Sequence, residues 1–205
     1  QLSMSDMNQL GGEMFRWGFA TIIAGYLLMV NPFDQPNVQQ AKDFTVEVLN
    51  TLSTDGEVDD IEVSNSLDSL LLNIEPGKYF ALLVYLPQSP ELDTVLRRIR
   101  SSLLRRKHIA TTAGYGPRYL HSTGQLHKGG PQKGIFLQLV SSVGEKLLIP
   151  GETYDFRILA DSQARGDIRA LQKQGAPIAR LELSGNQVTE LEQIAQSLDQ
   201  KLMHT

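Results

Sequence analysis

One segment, YLHSTGQLHKGG at positions 119–130, gathers side chains that can do chemistry. It holds two of the chain's four histidines, His121 and His127, beside the hydroxyls of Ser122 and Thr123. An imidazole can accept or donate a proton near neutral pH, hydroxyls can bind sugar or phosphate oxygens, and glycine-rich backbone can approach a ligand closely. The segment has few apolar side chains, so two interpretations stay open: a functional site, or a surface turn with two solvated histidines.

A second segment, NPFDQPNVQQAK at positions 31–42, ends in a lysine that can act on a substrate. Pro32 ends the helix predicted before it, and Pro36 suits the first turn of a following helix. Lys42 therefore lies a short way into that second helix, where its ammonium can stabilise a developing alkoxide in a neighbouring crevice. The alternative for Lys42 is a solvated position on a helix surface.

The two segments resemble two separate signatures of the glucose-6-phosphate isomerases, enzymes of the sugar-isomerase fold. In segment 119–130 the matching letters are LHS followed by GQ, and in segment 31–42 they are NPFDQP with the later lysine. The longer stretch YGPRYLHSTGQLHKGGP is similar, more narrowly, to the isomerase portion of bifunctional enzymes in which transaldolase precedes phosphoglucose isomerase. The similarity covers most of residues 10–42 and 109–140 and continues more loosely to the end of the chain.

The resemblance implies a phosphosugar substrate. Members of the family interconvert glucose 6-phosphate and fructose 6-phosphate by opening the sugar ring and moving a proton between C2 and C1 through a cis-enediol. Carried over to this chain, His121 assists ring opening and Lys42 acts on the ring-oxygen side of the substrate. Gln125, Ser122 and Thr123 are the expected ligands of the sugar.

Part of the family's machinery is missing from this sequence. The family's catalytic base is a glutamate a short way upstream of the histidine motif, yet no glutamate occurs here between Glu91 and Glu145. The histidine segment also follows the lysine segment, whereas it precedes it in the single-function isomerases. His127 and Lys128 fit the bifunctional pattern, but neither receives a role.

We therefore expect the C-terminal portion of an isomerase that is inactive without the N-terminal remainder of its parent chain. Two alternatives remain open. One is a non-catalytic phosphosugar-binding or regulatory module that has lost the base. The other is a structural domain for dimerisation, suggested by the broad apolar surface of the helix predicted over residues 8–30. A homodimer is compatible with the resemblance, because the family's sites are commonly completed by a second subunit.

Composition and charge narrow the classes of partner. The chain has 205 residues, no cysteine and a net charge of −4. Disulfide frameworks, Cys-ligated zinc, iron–sulfur clusters and thiol nucleophiles are thereby excluded, and no metal or cofactor is predicted. The basic run 97–107 has no aromatic side chain among its charges, so no nucleic-acid partner is predicted. The apolar run 19–30 is shorter than a membrane span and predicts a buried helix, with no membrane partner. The absence of cysteine favours a reducing compartment, so a cytoplasmic location is expected.

Apolar periodicity supplies the elements that must position the candidate groups. Two helices, over 8–30 and from Pro36, predict a helical hairpin within residues 1–55. Strand and helix then alternate, which predicts a mainly parallel sheet in a three-layer α/β/α sandwich. The resemblance implies that residues 56–205 form a sugar-isomerase-like unit. Functional groups of such sheets gather at the carboxyl ends of the strands. His121 is thus expected near a sheet edge facing a crevice.

Overall fold

The computed structural model describes residues 6–34, 36–55, 66–144 and 146–204, and the chain divides into two compact units, Gln1–Gln35 and Pro36–Thr205. The hairpin predicted over residues 1–55 would place both of its helices in one unit. The division into compact units falls between residues 35 and 36. The physical reason is that the second helix, α2 (Pro36–Asp55), packs against helices of the second unit.

The first unit contains helix α1 (Gln9–Leu28), which ends where Met29 takes a left-handed conformation with φ of 55°. Burial of the apolar run 19–30 was predicted, and that prediction is wrong: Phe19 is 56% exposed and Leu27 is 73% exposed. Within the described part of this unit α1 has no second element to cover an apolar face. None of the helices formed by the described residues combines the length and the apolar character that crossing a bilayer requires.

The second unit alternates strands and helices. After α2, its described elements are α3 (Leu67–Leu71), β1 (Tyr79–Tyr85), α4 (Pro90–Lys107), β2 (Ala110–Tyr115), the 3-10 helix η1 (Arg118–His121), α5 (Gly124–Gly129), β3 (Gly134–Ser141), α6 (Phe156–Lys173), β4 (Ile178–Leu183) and α7 (Gln187–His204).

The four described strands form one sheet in the order β2-β1-β3-β4, and every adjacent pair is parallel. Because parallel strands need a crossover between them, helices cover both faces of the sheet. The predicted three-layer α/β/α sandwich is confirmed, with a sheet that is parallel throughout these strands.

Alternate residues of each strand point to opposite faces, and each face has its own core. Phe80 and Leu82 of β1 belong to a cluster with apolar side chains of α4 and α7. Ala81 and Leu83 belong to a second cluster with side chains of α6 and η1. Helix α2 lies outside α6, where Val48 is 1% exposed.

Helices α4 and α6, which connect parallel strands, each begin at a side-chain cap. The Ser89 hydroxyl accepts a hydrogen bond of 3.1 Å from the amide of Leu92 at the start of α4. A carboxylate oxygen of Asp155 accepts one of 2.8 Å from the amide of Ile158 at the start of α6. Each cap satisfies an amide that has no partner within its helix, which fixes where each crossover begins.

The strand order creates a switch point between β1 and β3. The chain leaves β1 for α4 on one face and leaves β3 for α6 on the other. The two connections diverge at the carboxyl ends of adjacent strands, which opens a crevice between them.

Candidate functional site

The histidine segment leaves the carboxyl end of β2 and forms η1 and α5. Tyr119 is 4% exposed and belongs to the core between the sheet and α6, whereas His121 and Ser122 are exposed. The Ser122 hydroxyl donates to the carbonyl oxygen of Tyr119 at 3.1 Å, and Thr123 is half-buried. The segment is therefore anchored in the core by some of its side chains while it presents His121 to solvent.

Gln125 connects the histidine segment to the lysine segment. Its side-chain nitrogen Nε2 donates to Oδ1 of Asn37 at 2.9 Å, and its oxygen Oε1 accepts from the backbone amide of Asn37 at 3.2 Å. Asn37 is the second residue of α2. The start of α2, which is the part of the lysine segment in the second unit, thus lies beside α5, and α2 engages both polar atoms of the Gln125 amide.

Gly129 is required for this pairing. A Cβ atom built on Gly129 would overlap the Gln125 amide nitrogen and Oδ1 of Asn37. Only a residue without a side chain leaves room for the two hydrogen bonds at this position. The last residue of α5 therefore helps to set how closely α5 approaches α2.

The two candidate catalytic side chains, Lys42 and His121, are both exposed. Lys42 lies on α2 about one and a half turns beyond Asn37. Within the described ranges no hydrogen bond or ion pair joins Lys42 to His121. The structure thus brings their two segments together through Asn37 and Gln125 and leaves both side chains accessible.

His127 is not solvated, and for this residue the surface-turn interpretation is wrong. Its side chain lies in the core at 9% exposure, with Nδ1 2.8 Å from the hydroxyl of Tyr79 and its ring 5.3 Å from the ring of Phe136. Burial, and secondarily the Lys128 ammonium, lowers the pKa of His127 to about 4. The imidazole is therefore neutral at pH 7 and serves to anchor α5 to the sheet.

Lys128 and Asp167 form a buried ion pair between α5 and α6, and both side chains are 0% exposed. The hydroxyl of Tyr119 also donates to Asp167. Burial raises the pKa of Asp167 well above its usual range and lowers the pKa of Lys128 to about 8. The pair fastens the histidine segment to α6. Because Asp167 is enclosed and already paired, it is unsuited to be the carboxylate base of an isomerase.

The sequence contained a pattern that indicates the buried face of the histidine segment. Tyr119, Thr123 and His127 recur every four residues, which is the spacing of one helix face. Residue type obscured the signal, because histidine and lysine are rarely buried without partners. The partners, Tyr79 and Asp167, lie in other elements of the fold.

The crevice at the switch point is lined by other residues than those predicted. Residues from the carboxyl ends of β1 and β3 and from α6 line it, and none of the five predicted site residues is among them. Within the described ranges, no three His, Asp or Glu side chains come together in a way that could hold a metal ion. The candidate isomerase site is thus the surface shared by α2, η1 and α5, which is separate from this crevice.

Comparison with known proteins shows the fold and leaves the family open. No family model and no curated protein matches the chain. A crystal structure described as that of a hypothetical protein from Thermus thermophilus is similar to it, with a TM-score of 0.51 and 15% sequence identity. The similarity covers 82% of this chain and 44% of that chain, so this chain spans less than half the length of that protein. At this identity the likeness concerns the fold alone.

Proposed function

We propose that this chain is the C-terminal portion of a phosphosugar aldose–ketose isomerase that interconverts glucose 6-phosphate and fructose 6-phosphate. The observation that supports the proposal is the pairing of Gln125 with Asn37. It joins the two segments that carry the isomerase-like motifs, although they are separated by most of the first half of the chain.

The exposed positions of His121 and Lys42 suit the proposed roles. A solvent-accessible imidazole can exchange protons with the ring oxygen and hydroxyl of a sugar during ring opening. An ammonium near the same sugar stabilises the negative charge that develops on oxygen. Ser122 and Thr123, next to His121, supply hydroxyls for the sugar.

The proton transfer between C2 and C1 needs a carboxylate of suitable pKa. Asp167 is enclosed and paired, and no glutamate lies between Glu91 and Glu145. In the proposed enzyme the base therefore comes from the N-terminal remainder of the parent chain. The isolated segment is expected to show no turnover.

Mutagenesis of the complete parent chain tests the site. Lys42→Ala and His121→Ala should each lower kcat for fructose 6-phosphate by roughly 10²- to 10⁴-fold, the usual effect of removing an acid–base group. Lys133→Ala is the matched control, because Lys133 is also exposed but lies in the turn before β3. Wild-type turnover in both site variants would remove these two residues from the mechanism.

A phosphosugar-binding module is the second candidate function. The observation that favours it is that no glutamate lies between Glu91 and Glu145, the region in which the resemblance would place the base. Calorimetry with fructose 6-phosphate on the complete parent chain separates the two functions. Binding that is weakened by Lys42→Ala, combined with no turnover, would support the module over the enzyme.

A further inference from the structure

The crevice between β1 and β3 has a definite shape and is distinct from the candidate isomerase site. It has a volume of about 270 Å³ and lies where Tyr85 ends β1, Ser141 ends β3 and the first turns of α6 pass by. A second basin of about 370 Å³ adjoins it towards β4 and shares Ser141, Arg157 and Asp161 with it. Crevices at this position of a parallel α/β sheet are where such folds bind small molecules.

One wall of the crevice is apolar and held in place. Leu86, Val140 and Ala164 line it together with the ring of Tyr85. A Cβ atom on Gly116 would overlap that ring, so the turn after β2 closes directly over Tyr85. The Tyr85 hydroxyl is buried and has no hydrogen-bond partner among the described residues.

The crevice and the adjoining basin also carry charged groups, most of which already have partners. Asp161 accepts hydrogen bonds of 2.6 Å from both Arg165 and Arg180, and Arg180 also donates to Gln138 at 2.9 Å. Arg157 is different: it is exposed, lines both basins, and makes no hydrogen bond or ion pair with the described residues. It is thus a cation at the rim that is available to an anionic ligand.

The net charge of the residues that line the two basins indicates which kind of anion would bind. The charged residues that line the two basins are Arg157, Arg165, Arg180, Asp161 and Glu182, an excess of one positive charge. One guanidinium matches a carboxylate in charge and in its planar two-oxygen geometry. A phosphate dianion would face two carboxylates with only one free cation. A neutral apolar ligand would leave Arg157 unused.

We propose that this crevice binds a small monocarboxylate with a compact apolar body, its carboxylate on Arg157 and its body against the wall formed by Tyr85, Leu86, Val140 and Ala164. The crevice volume, just below the roughly 300 Å³ at which drug-sized pockets begin, suits a ligand of a few carbon atoms. The inference rests on the lining of this crevice and is independent of the isomerase proposal.

The test uses 3-methylbutanoate as the probe, titrated into the isotopically labelled chain with NMR detection. We expect a dissociation constant on the order of 1 mM and the largest amide shifts at Gly116, Val143 and Gly144, which line the crevice. The neutral 3-methylbutanamide and inorganic phosphate serve as comparison probes. Each should bind at least about tenfold more weakly, because one lacks the charge and the other lacks the apolar body.

Two variants test the two parts of the proposed contact, the ion pair with Arg157 and the packing of the apolar body in the crevice. Arg157→Gln should weaken 3-methylbutanoate at least about tenfold, whereas Arg105→Gln, at an exposed arginine of α4, should not. Ala160→Leu should also weaken binding, because the larger side chain fills the crevice while Arg157 remains. The amide spectrum of each variant shows whether it is folded, and the two variants change different parts of the site.

Several outcomes would overturn the proposal. These are equal binding of the acid and the amide, unchanged affinity in folded Arg157→Gln, and no crevice shifts at about ten times the expected dissociation constant. Lys42→Ala and His121→Ala should leave 3-methylbutanoate binding unchanged. Loss of binding in those variants would assign the probe to the candidate isomerase site instead. Loss of isomerase activity with crevice binding intact, or the reverse, would show that the two proposals stand separately.

Discussion

Acidification should destabilise the second unit through His127, the histidine buried in the core. The groups that face its ring are the hydroxyl of Tyr79, the rings of Tyr119 and Phe136, and the adjacent Lys128 ammonium. None of them is an anion that would compensate a positive charge on the imidazole. Protonating His127 in place therefore costs free energy.

The magnitude follows from the shift of the pKa of His127, which burial and the Lys128 ammonium lower from 6.5 to about 4. Above pH 6.5 the imidazole is neutral in both the folded and the unfolded chain. Between pH 6.5 and 4 the unfolded chain binds a proton that the folded chain excludes, so the free energy of unfolding falls as the pH falls. Below pH 4 both forms are protonated and the loss levels off. At about 1.4 kcal/mol per pKa unit, the total loss is about 3 kcal/mol.

Urea denaturation followed by far-ultraviolet circular dichroism measures this loss. Trp17 lies in the first unit, so its fluorescence is not a suitable probe of the second. His127→Gln removes the titration and keeps a group that can hydrogen-bond to Tyr79. Between pH 7 and 4, the wild-type chain should lose about 3 kcal/mol more than this variant. His121→Gln, at an exposed histidine, should keep the wild-type pH dependence.

Two results would refute this reasoning. One is an equal loss of stability in the wild-type chain and His127→Gln over the same pH range. The other comes from an NMR titration of the ring protons of His127 in the folded chain. A midpoint near that of a free histidine would show that the ring is protonated without difficulty, and hence that it is not enclosed as described.

Three further predictions concern the contacts that hold the histidine segment and the crossover helices. Gly129→Ala should displace the Gln125 and Asn37 side chains and lower the free energy of unfolding by about 1 kcal/mol through the loss of their hydrogen bonds, and adding Gln125→Ala should cost little more, as chemical denaturation would show. Lys128→Met should cost about 3–5 kcal/mol at pH 7, where most of Lys128 is charged, and less at pH 5, where the raised pKa keeps more of Asp167 protonated; an equal cost at both pH values would contradict the buried pair. Asp155→Ala should cost about 1 kcal/mol by removing the α6 cap, with Asp155→Asn much less affected in the same denaturation experiment.

The layered fold could be predicted from sequence because its strands are covered on both faces. A strand such as β1 then reads as a continuous apolar run, FALLVY, and needs no knowledge of its neighbours. Helices α4 and α7 likewise follow from apolar residues at helical spacing. The domain boundary was harder to predict, because α2 belongs to the second unit only through its packing on α6 and α5.

The candidate site was predictable in part. The exposure of His121 and Ser122 agrees with the few apolar side chains of their segment, but the burial of His127 and Lys128 could not be inferred from their types. Burial of a lysine depends on a carboxylate at a matching position, and Asp167 comes from α6. The crevice could not be predicted for the same reason. Arg157 becomes part of a possible binding site only because α6 packs beside the carboxyl ends of β1 and β3.

The strand order also has a consequence for the biosynthesis of the chain. Strand β1 is made first but lies in the interior of the sheet, between β2 and β3. As the chain leaves the ribosome, β1 can pair with β2 and pack against α4 early. The edge of β1 that pairs with β3, and the face of β1 that packs against α6, stay uncovered until those later segments emerge. Nascent intermediates of this kind expose unpaired strand edges and apolar surface, which favours aggregation. Slower translation between β2 and β3 would prolong that exposure, so the yield of soluble protein should be sensitive to codon usage in this interval.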